Sequence, residues 1–107
     1  MAKGYAGRYL RVDLTEARCS DFVIDEQTHR KFIGGSSLGA KLFLDGYPLN
    51  ADPLAPESPL MVIAGPMVAS GFPGTSRFAV CAKSPLTGIW GEAACGGTFG
   101  PELKRAG

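Results

Sequence analysis

All eight prolines of this 107-residue chain fall between Pro48 and Pro101, and eight of its fifteen glycines fall between Gly65 and Gly100. Proline fixes φ and donates no backbone hydrogen bond, and glycine weakens any regular element it sits in. The first 47 residues are therefore free to build helices and longer strands, whereas the rest must consist of short strands joined by tight turns. No repeat or low-complexity tract interrupts this division.

The segment Arg8–Leu14 alternates polar and apolar residues and predicts a half-buried strand. A polar turn over Thr15–Arg18 and a second strand over Cys19–Ile24 complete a hairpin. Asp25 is placed to cap a helix that Gly34-Gly35 stops, and Ser36 or Ser37 to cap a second one ending near Gly46. Asn50–Pro59 is an extended connector. The continuous apolar run Leu60–Ala64 reads as a strand buried on both faces. Gly65–Ser76 is a small-residue loop, Arg77–Lys83 a strand, Ser84–Gly88 a turn and Ile89–Ala94 a short strand. Phe99–Arg105, with Pro101 in its first turn, closes the chain as a helix. The expected fold class is α+β, rich in β-sheet, with about five strands and three helices.

At 11.2 kDa the chain suits one small domain that buries roughly two-thirds of its unfolded surface. Eleven Lys and Arg against ten Asp and Glu leave a net charge of +1, too little positive field for a dedicated nucleic-acid partner. No apolar run approaches the ~20 residues of a membrane-spanning helix, and Met1–Tyr5 has no hydrophobic signal core. No membrane partner and a cytoplasmic location are expected. Cys19, Cys81 and Cys95 are odd in number and widely spaced, unlike a disulfide framework or a metal-binding Cys-x-x-Cys pair. They read as reduced, buried, small hydrophobes.

Small residues cluster at Gly34–Gly39, Gly71–Arg77 and Cys95–Thr98. Such loops let backbone N–H groups approach an anion, and the Arg77 guanidinium beside Gly74-Thr75-Ser76 suits a phosphate. Ala40 stands where a P-loop needs lysine, and no Gly-x-Gly-x-x-Gly occurs. No catalytic residue set is visible. His29 lies in the charged stretch Thr28–Lys31 and reads as a solvated surface histidine. Ser36, Ser70 and Ser76 have no evident base. Asp13, Asp21 and Asp52 sit in turn-like or alternating contexts, and Glu92 reads as an exposed strand residue.

The segments Gly7–Leu14, Phe32–Gly35, Leu38–Lys41 and Asp52–Glu57 resemble the start of the tungsten-dependent aldehyde ferredoxin oxidoreductases. So do Ala64-Gly65-Pro66, Ser76-Arg77-Phe78, Lys83–Gly88 and Gly96–Gly107. The likeness runs through essentially the whole chain in order. It implies an N-terminal domain whose paired β-sheets form a saddle beneath a tungsten bis-pterin cofactor (tungstopterin). It also implies that Arg77 contacts a pterin phosphate. The turn at Ala94, Cys95 and Gly96 is implied to offer backbone groups to the cofactor and to a magnesium ion, Ala94 through its carbonyl. The family commonly carries asparagine at the position of Ala94, and an arginine–glycine pair where this chain has Ser36-Ser37.

In the complete enzyme the resemblance implies oxidation of an aldehyde to a carboxylate, with electrons passing through a 4Fe-4S cluster to ferredoxin. The cluster cysteines and aldehyde-site acids of the family lie beyond the position of Gly107, and none of the three cysteines here matches a cluster ligand. On this reading residues 1–107 are an incomplete domain, a fragment or a small subunit. It should form a homo-oligomer or join further subunits, and should not oxidise aldehydes unaided. Two alternatives stand beside it: a non-catalytic assembly module of the same fold, and a relative acting on another substrate, such as an aromatic-ring reductase.

Overall fold

The computed structural model describes residues 3–107. The chain opens with a hairpin, β1 (Tyr9–Asp13) and β2 (Arg18–Phe22), paired antiparallel from Tyr9 opposite Phe22 to Asp13 opposite Arg18. Asp13 Oδ1 accepts from the N–H groups of Thr15 and Glu16, both at 3.0 Å, which fixes the turn. Helix α1 (Glu26–Phe32) starts as the sequence predicts. Asp25 caps it by accepting from Thr28 N–H at 2.9 Å and Thr28 Oγ1 at 2.6 Å, and these bonds hold its carboxyl below the usual carboxylate range.

Helix α2 (Gly35–Gly46) follows at once. Three antiparallel strands, β3 (Met61–Ala64), β4 (Phe78–Lys83) and β5 (Trp90–Cys95), then form a second sheet in that order, and α3 (Phe99–Arg105) ends the chain. Among the described residues the architecture is α+β: three helices and two antiparallel sheets of two and three strands. No described helix is long and apolar enough to cross a membrane.

Helix α2 lies on one face of the three-stranded sheet. Gly39 makes this possible: a Cβ there would stand 3.2 Å from Cys81 Sγ and 3.3 Å from Ile63 Cδ1, so the helix backbone rests almost directly on the strands. Leu38, Ile63 and Ile24 form the core cluster, flanked by Tyr9, Phe32, Leu42 and Met61.

Several expectations require correction. His29 is not a surface residue; it is 5% exposed. Its Nε2 lies 2.9 Å from Tyr9 Oη, and the Tyr5 ring stacks on it at 4.1 Å. The charged neighbours Arg30 and Lys31 turn outward on the same helix. Ser36 and Ser37 do not cap α2, because the helix begins at Gly35 and its cap, Gly34, makes no side-chain bond.

The hairpin is turned the other way from its apolar alternation. Leu10 and Val12 are 62% and 53% exposed, while Tyr9 faces the core against Phe22 and His29. Strand β3 is not buried on both faces; it is an edge strand with α2 on one side, and Val62 is exposed on the other. Of the cysteines only Cys81 is buried, where desolvation pushes its thiol up; Cys19 and Cys95 are exposed.

One strained turn joins the two helices. Ile33 has φ 62° and ψ −70°, and Gly34 N–H donates to Phe32 O at 2.7 Å, which is a γ-turn with a positive central φ. A β-branched residue rarely adopts this conformation. Tyr5 Oη holds it by donating to Ile33 O at 2.7 Å.

Candidate functional site

The three small-residue clusters meet at one end of the three-stranded sheet. Phe78 opens β4 and pairs with both Ala64, the last residue of β3, and Cys95, the last of β5. The loop 65–77 and the turn 96–98 therefore leave the sheet at the same end. Gly34 seats the start of α2 beside them: a Cβ there would lie 3.0 Å from both Ala64 O and Gly65 Cα. Helix α3 is equally close, since a Cβ on Gly100 would stand 2.8 Å from Ser76 O and 3.3 Å from Phe78 Cδ1. The Phe99 ring packs against Phe78 with centroids 5.0 Å apart.

The loop before Arg77 is ordered by its own bonds. Val68 N–H donates to Gly65 O, Ser70 N–H to Met67 O, and Phe72 N–H to Ser70 Oγ. Thr75 Oγ1 donates to Phe72 O at 2.6 Å, so this hydroxyl is committed to the loop. Gly71 and Gly74 take positive φ values of 83° and 77°, conformations that give the turn its sharpness and favour glycine.

Arg77 stands at the end of this loop, immediately before β4. Arg8, Arg30 and Arg105 each pair with a carboxylate, whereas Arg77 is exposed and has no side-chain hydrogen bond or ion pair among the described residues. Its neighbours across the sheet end are Cys95 and Gly96; a Cβ on Gly96 would be 3.8 Å from Ser76 Oγ. Ala94 pairs with Ala79, one position further into the sheet. Because β5 is an edge strand, every second residue along it turns its N–H and C=O away from β4. A guanidinium without a partner among the described residues thus stands at the same sheet end as an exposed backbone edge. That donor set fits an anion, and a phosphate above all.

The other candidates serve structure. Asp13 and Asp52 accept from backbone N–H groups in turns, and Asp21 pairs with Arg8 at 3.5 Å. Glu92 is exposed on β5, and Ser36 lies in the first turn of α2. Among the described residues no group of three His, Cys, Asp or Glu could hold a metal ion. A shallow groove of about 370 Å³ lies beside the rim, between Tyr5, Pro66, Val68 and Lys104, and does not include Arg77. Burial draws the Lys104 ammonium below the usual lysine range, and it donates to Gly65 O at 3.2 Å and Pro66 O at 2.5 Å. This clamp of α3 onto the loop, and the close seat of Gly100, are the parts that sequence reasoning missed. The signal for the second was a glycine in the first turn of a helix, where propensity disfavours it.

Residues 9–107 match the family described as aldehyde ferredoxin oxidoreductase, N-terminal domain. The tungsten-containing aldehyde ferredoxin oxidoreductase of Pyrococcus furiosus is 39% identical over 104 residues, covering 97% of this chain and 17% of that protein. The enzyme of the same name from Thermococcus kodakarensis is 38% identical over the same shares. A Pyrococcus furiosus protein named aliphatic sulfonate oxidoreductase, WOR-like subunit, is 33% identical, covering 96% of this chain and 17% of its own length. Among solved structures, a chain of the BamBC active-site complex of benzoyl-coenzyme A reductase, bound to 1,5-dienoyl-CoA, superposes with a TM-score of 0.93 at 31% identity. That match covers all of this chain and 16% of the other. The chain thus spans about a sixth of the length of the curated relatives it matches.

Proposed function

The chain belongs to the aldehyde ferredoxin oxidoreductase family, and from that premise we propose that residues 1–107 form part of the floor on which a tungsten bis-pterin cofactor rests. The observation that carries this reading is that Arg77, without a partner among the described residues, stands at the same sheet end as the Ala94–Gly96 backbone. Arg77 holds a pterin phosphate through its planar fork of donors. The backbone groups of Cys95 and Gly96 would hold the cofactor's edge, and the Ala94 carbonyl would be a ligand for magnesium that needs no particular side chain. When bound, the cofactor supplies two-electron redox chemistry at tungsten, which this chain's own side chains cannot provide. The chain's part is to position and neutralise an anionic group.

In the complete protein the reaction is oxidation of an aldehyde to a carboxylate, with electrons leaving through a 4Fe-4S cluster to ferredoxin. On this reading the cluster ligands and substrate pocket would lie in the part of the protein corresponding to the five-sixths of the relatives that this chain does not match. The proposal includes association with further subunits, as in the subunit complexes named for related proteins, and a cytoplasmic location. The likeness to a chain of the benzoyl-coenzyme A reductase complex favours a second reading, in which the same floor serves another substrate, such as an aromatic ring.

The test is metal and pterin analysis of the protein purified in its native assembly from cells supplied with tungstate. Tungsten and pterin should co-purify with it in fixed proportion. An intact assembly carrying neither would defeat the proposal, and turnover of aldehydes against aromatic thioesters separates the two substrate readings.

A further inference from the structure

The bonded ladder between β3 and β4 stops at the pair Ala64–Phe78, and the loop 65–77 starts and ends just beyond it. Gly65 and Arg77 are therefore the two sides of the loop's neck, the next residues to face each other after the last bonded pair. No backbone bond joins them across the neck. Helix α3 takes over where the ladder ends, and it does so with one face. Gly100 and Lys104 stand four residues apart, on the same side of the helix. Gly100 seats that side on Ser76, the residue before Arg77, where an added Cβ would lie 2.8 Å from the carbonyl oxygen. Lys104 reaches the opposite side of the neck, where its Nζ donates to Gly65 O at 3.2 Å and to Pro66 O at 2.5 Å. The start of α2 closes on the same residue, since a Cβ on Gly34 would stand 3.0 Å from Gly65 Cα. Gly65 is thus held between two helices, and Arg77 faces it.

The clamp is a cation, which matters for what the neck can receive. Lys104 is half-buried, its bonds go to carbonyl oxygens, and no carboxylate among the described residues pairs with it. Its charge is therefore not cancelled locally. Two carbonyl oxygens left unbonded at the neck would turn negative dipole ends toward an anion held by Arg77. Lys104 engages both of them, and adds positive potential at the sheet end where the guanidinium stands.

We infer that Lys104 is the positioning residue of this rim: it holds the neck of the loop so that Arg77 meets an anion, and it neutralises the two carbonyls that would repel that anion. Lys104 acts through the loop, and Arg77 makes the contact. The inference rests on the reading of Arg77 as a phosphate ligand, and the experiment separates the two.

The native assembly is prepared carrying Arg77→Ala, Lys104→Met, or both, and tungsten and pterin retention is converted to relative cofactor affinity. Lys104→Met alone should lower that affinity about tenfold. In the Arg77→Ala background it should lower it by no more than about twofold, because the group it positions is gone. A merely structural lysine would add its full effect in both backgrounds. Lys104→Arg, which keeps the charge and the donors, should recover most of the retention. Amide exchange at Val68 and Ser70 should quicken about tenfold in Lys104→Met, with Val80 in β4 unchanged. If Lys104→Met does not fold, Lys104→Gln, a donor without the charge, takes its place in the cycle. Cofactor lost from Arg77→Ala but kept by Lys104→Met would overturn the inference and leave the Arg77 reading intact. Full additivity of the two substitutions, or loop exchange unchanged by Lys104→Met, would overturn it as well. Cofactor kept by Arg77→Ala would defeat the Arg77 reading, and this inference with it.

Discussion

Replacing Gly100 with alanine places a methyl carbon 2.8 Å from the Ser76 carbonyl oxygen and 3.3 Å from Phe78 Cδ1. The first contact is with backbone and cannot be relieved by a rotamer change, so either α3 or the loop at Ser76 must move. Overpacking of this kind costs about 1–3 kcal/mol. Alanine's helix propensity recovers at most about 1 kcal/mol, and less in a first turn. The net destabilisation is about 1–2 kcal/mol, which in a domain of this size lowers Tm by roughly 5–15 °C. Gly46→Ala is the matched control: it lies at the end of α2 with nothing within 4 Å of the added methyl and should be neutral or raise stability by up to about 1 kcal/mol. Thermal unfolding by circular dichroism, with the three proteins in the same assembly state, provides the comparison. A Gly100→Ala protein as stable as the parent would refute the packing of α3 against the Arg77 loop.

Three further outcomes are expected. Tyr9→Phe leaves the buried His29 Nε2 without its partner at 2.9 Å and should destabilise by about 1–3 kcal/mol in urea unfolding; an unchanged midpoint would contradict the buried pair. Burial pushes the Tyr9 phenol up to about 12 from 10.0, with Tyr5 adding to the shift. A raised folded-state value means that this stability is complete below pH 10 and is lost as pH rises through about 12, so the parent's alkaline unfolding should be steeper there than that of Tyr9→Phe. Ile33→Gly relieves a positive-φ turn whose strain is about 1–3 kcal/mol, against an entropic cost of about 0.5–1 kcal/mol, and should raise Tm; a fall would show that Ile33 is not strained.

What could be read from the sequence was what is local. Asp25 capping α1, the hairpin, the α2 stop at Gly46 and the five strands all follow from spacing, turn residues and capping chemistry within a few positions. The small-residue clusters were visible too, but not that β3, β4 and β5 would bring them to one sheet end, since that needs the register of Phe78 with Ala64 and Cys95. The burial of His29 is not legible locally, because its partners, Tyr5 and Tyr9, are 24 and 20 residues away while its neighbours in sequence are charged. Leu10 and Val12 obey the alternation of a buried strand yet face outward, because Tyr9 takes the core side.

Arg77 is proposed to bind a cofactor phosphate. The most direct test is the tungsten and pterin content of the native assembly carrying Arg77→Ala. A charge-assisted hydrogen bond contributes about 1.5–3 kcal/mol, so cofactor affinity should fall roughly ten- to a hundredfold. Arg77→Lys keeps the charge without the fork and should recover only part of it. Since Arg77 has no partner among the described residues, the Arg77→Ala protein should fold normally, with tungsten and pterin depleted together. Full occupancy in a normally folded Arg77→Ala protein would contradict the account and leave Arg77 a surface charge.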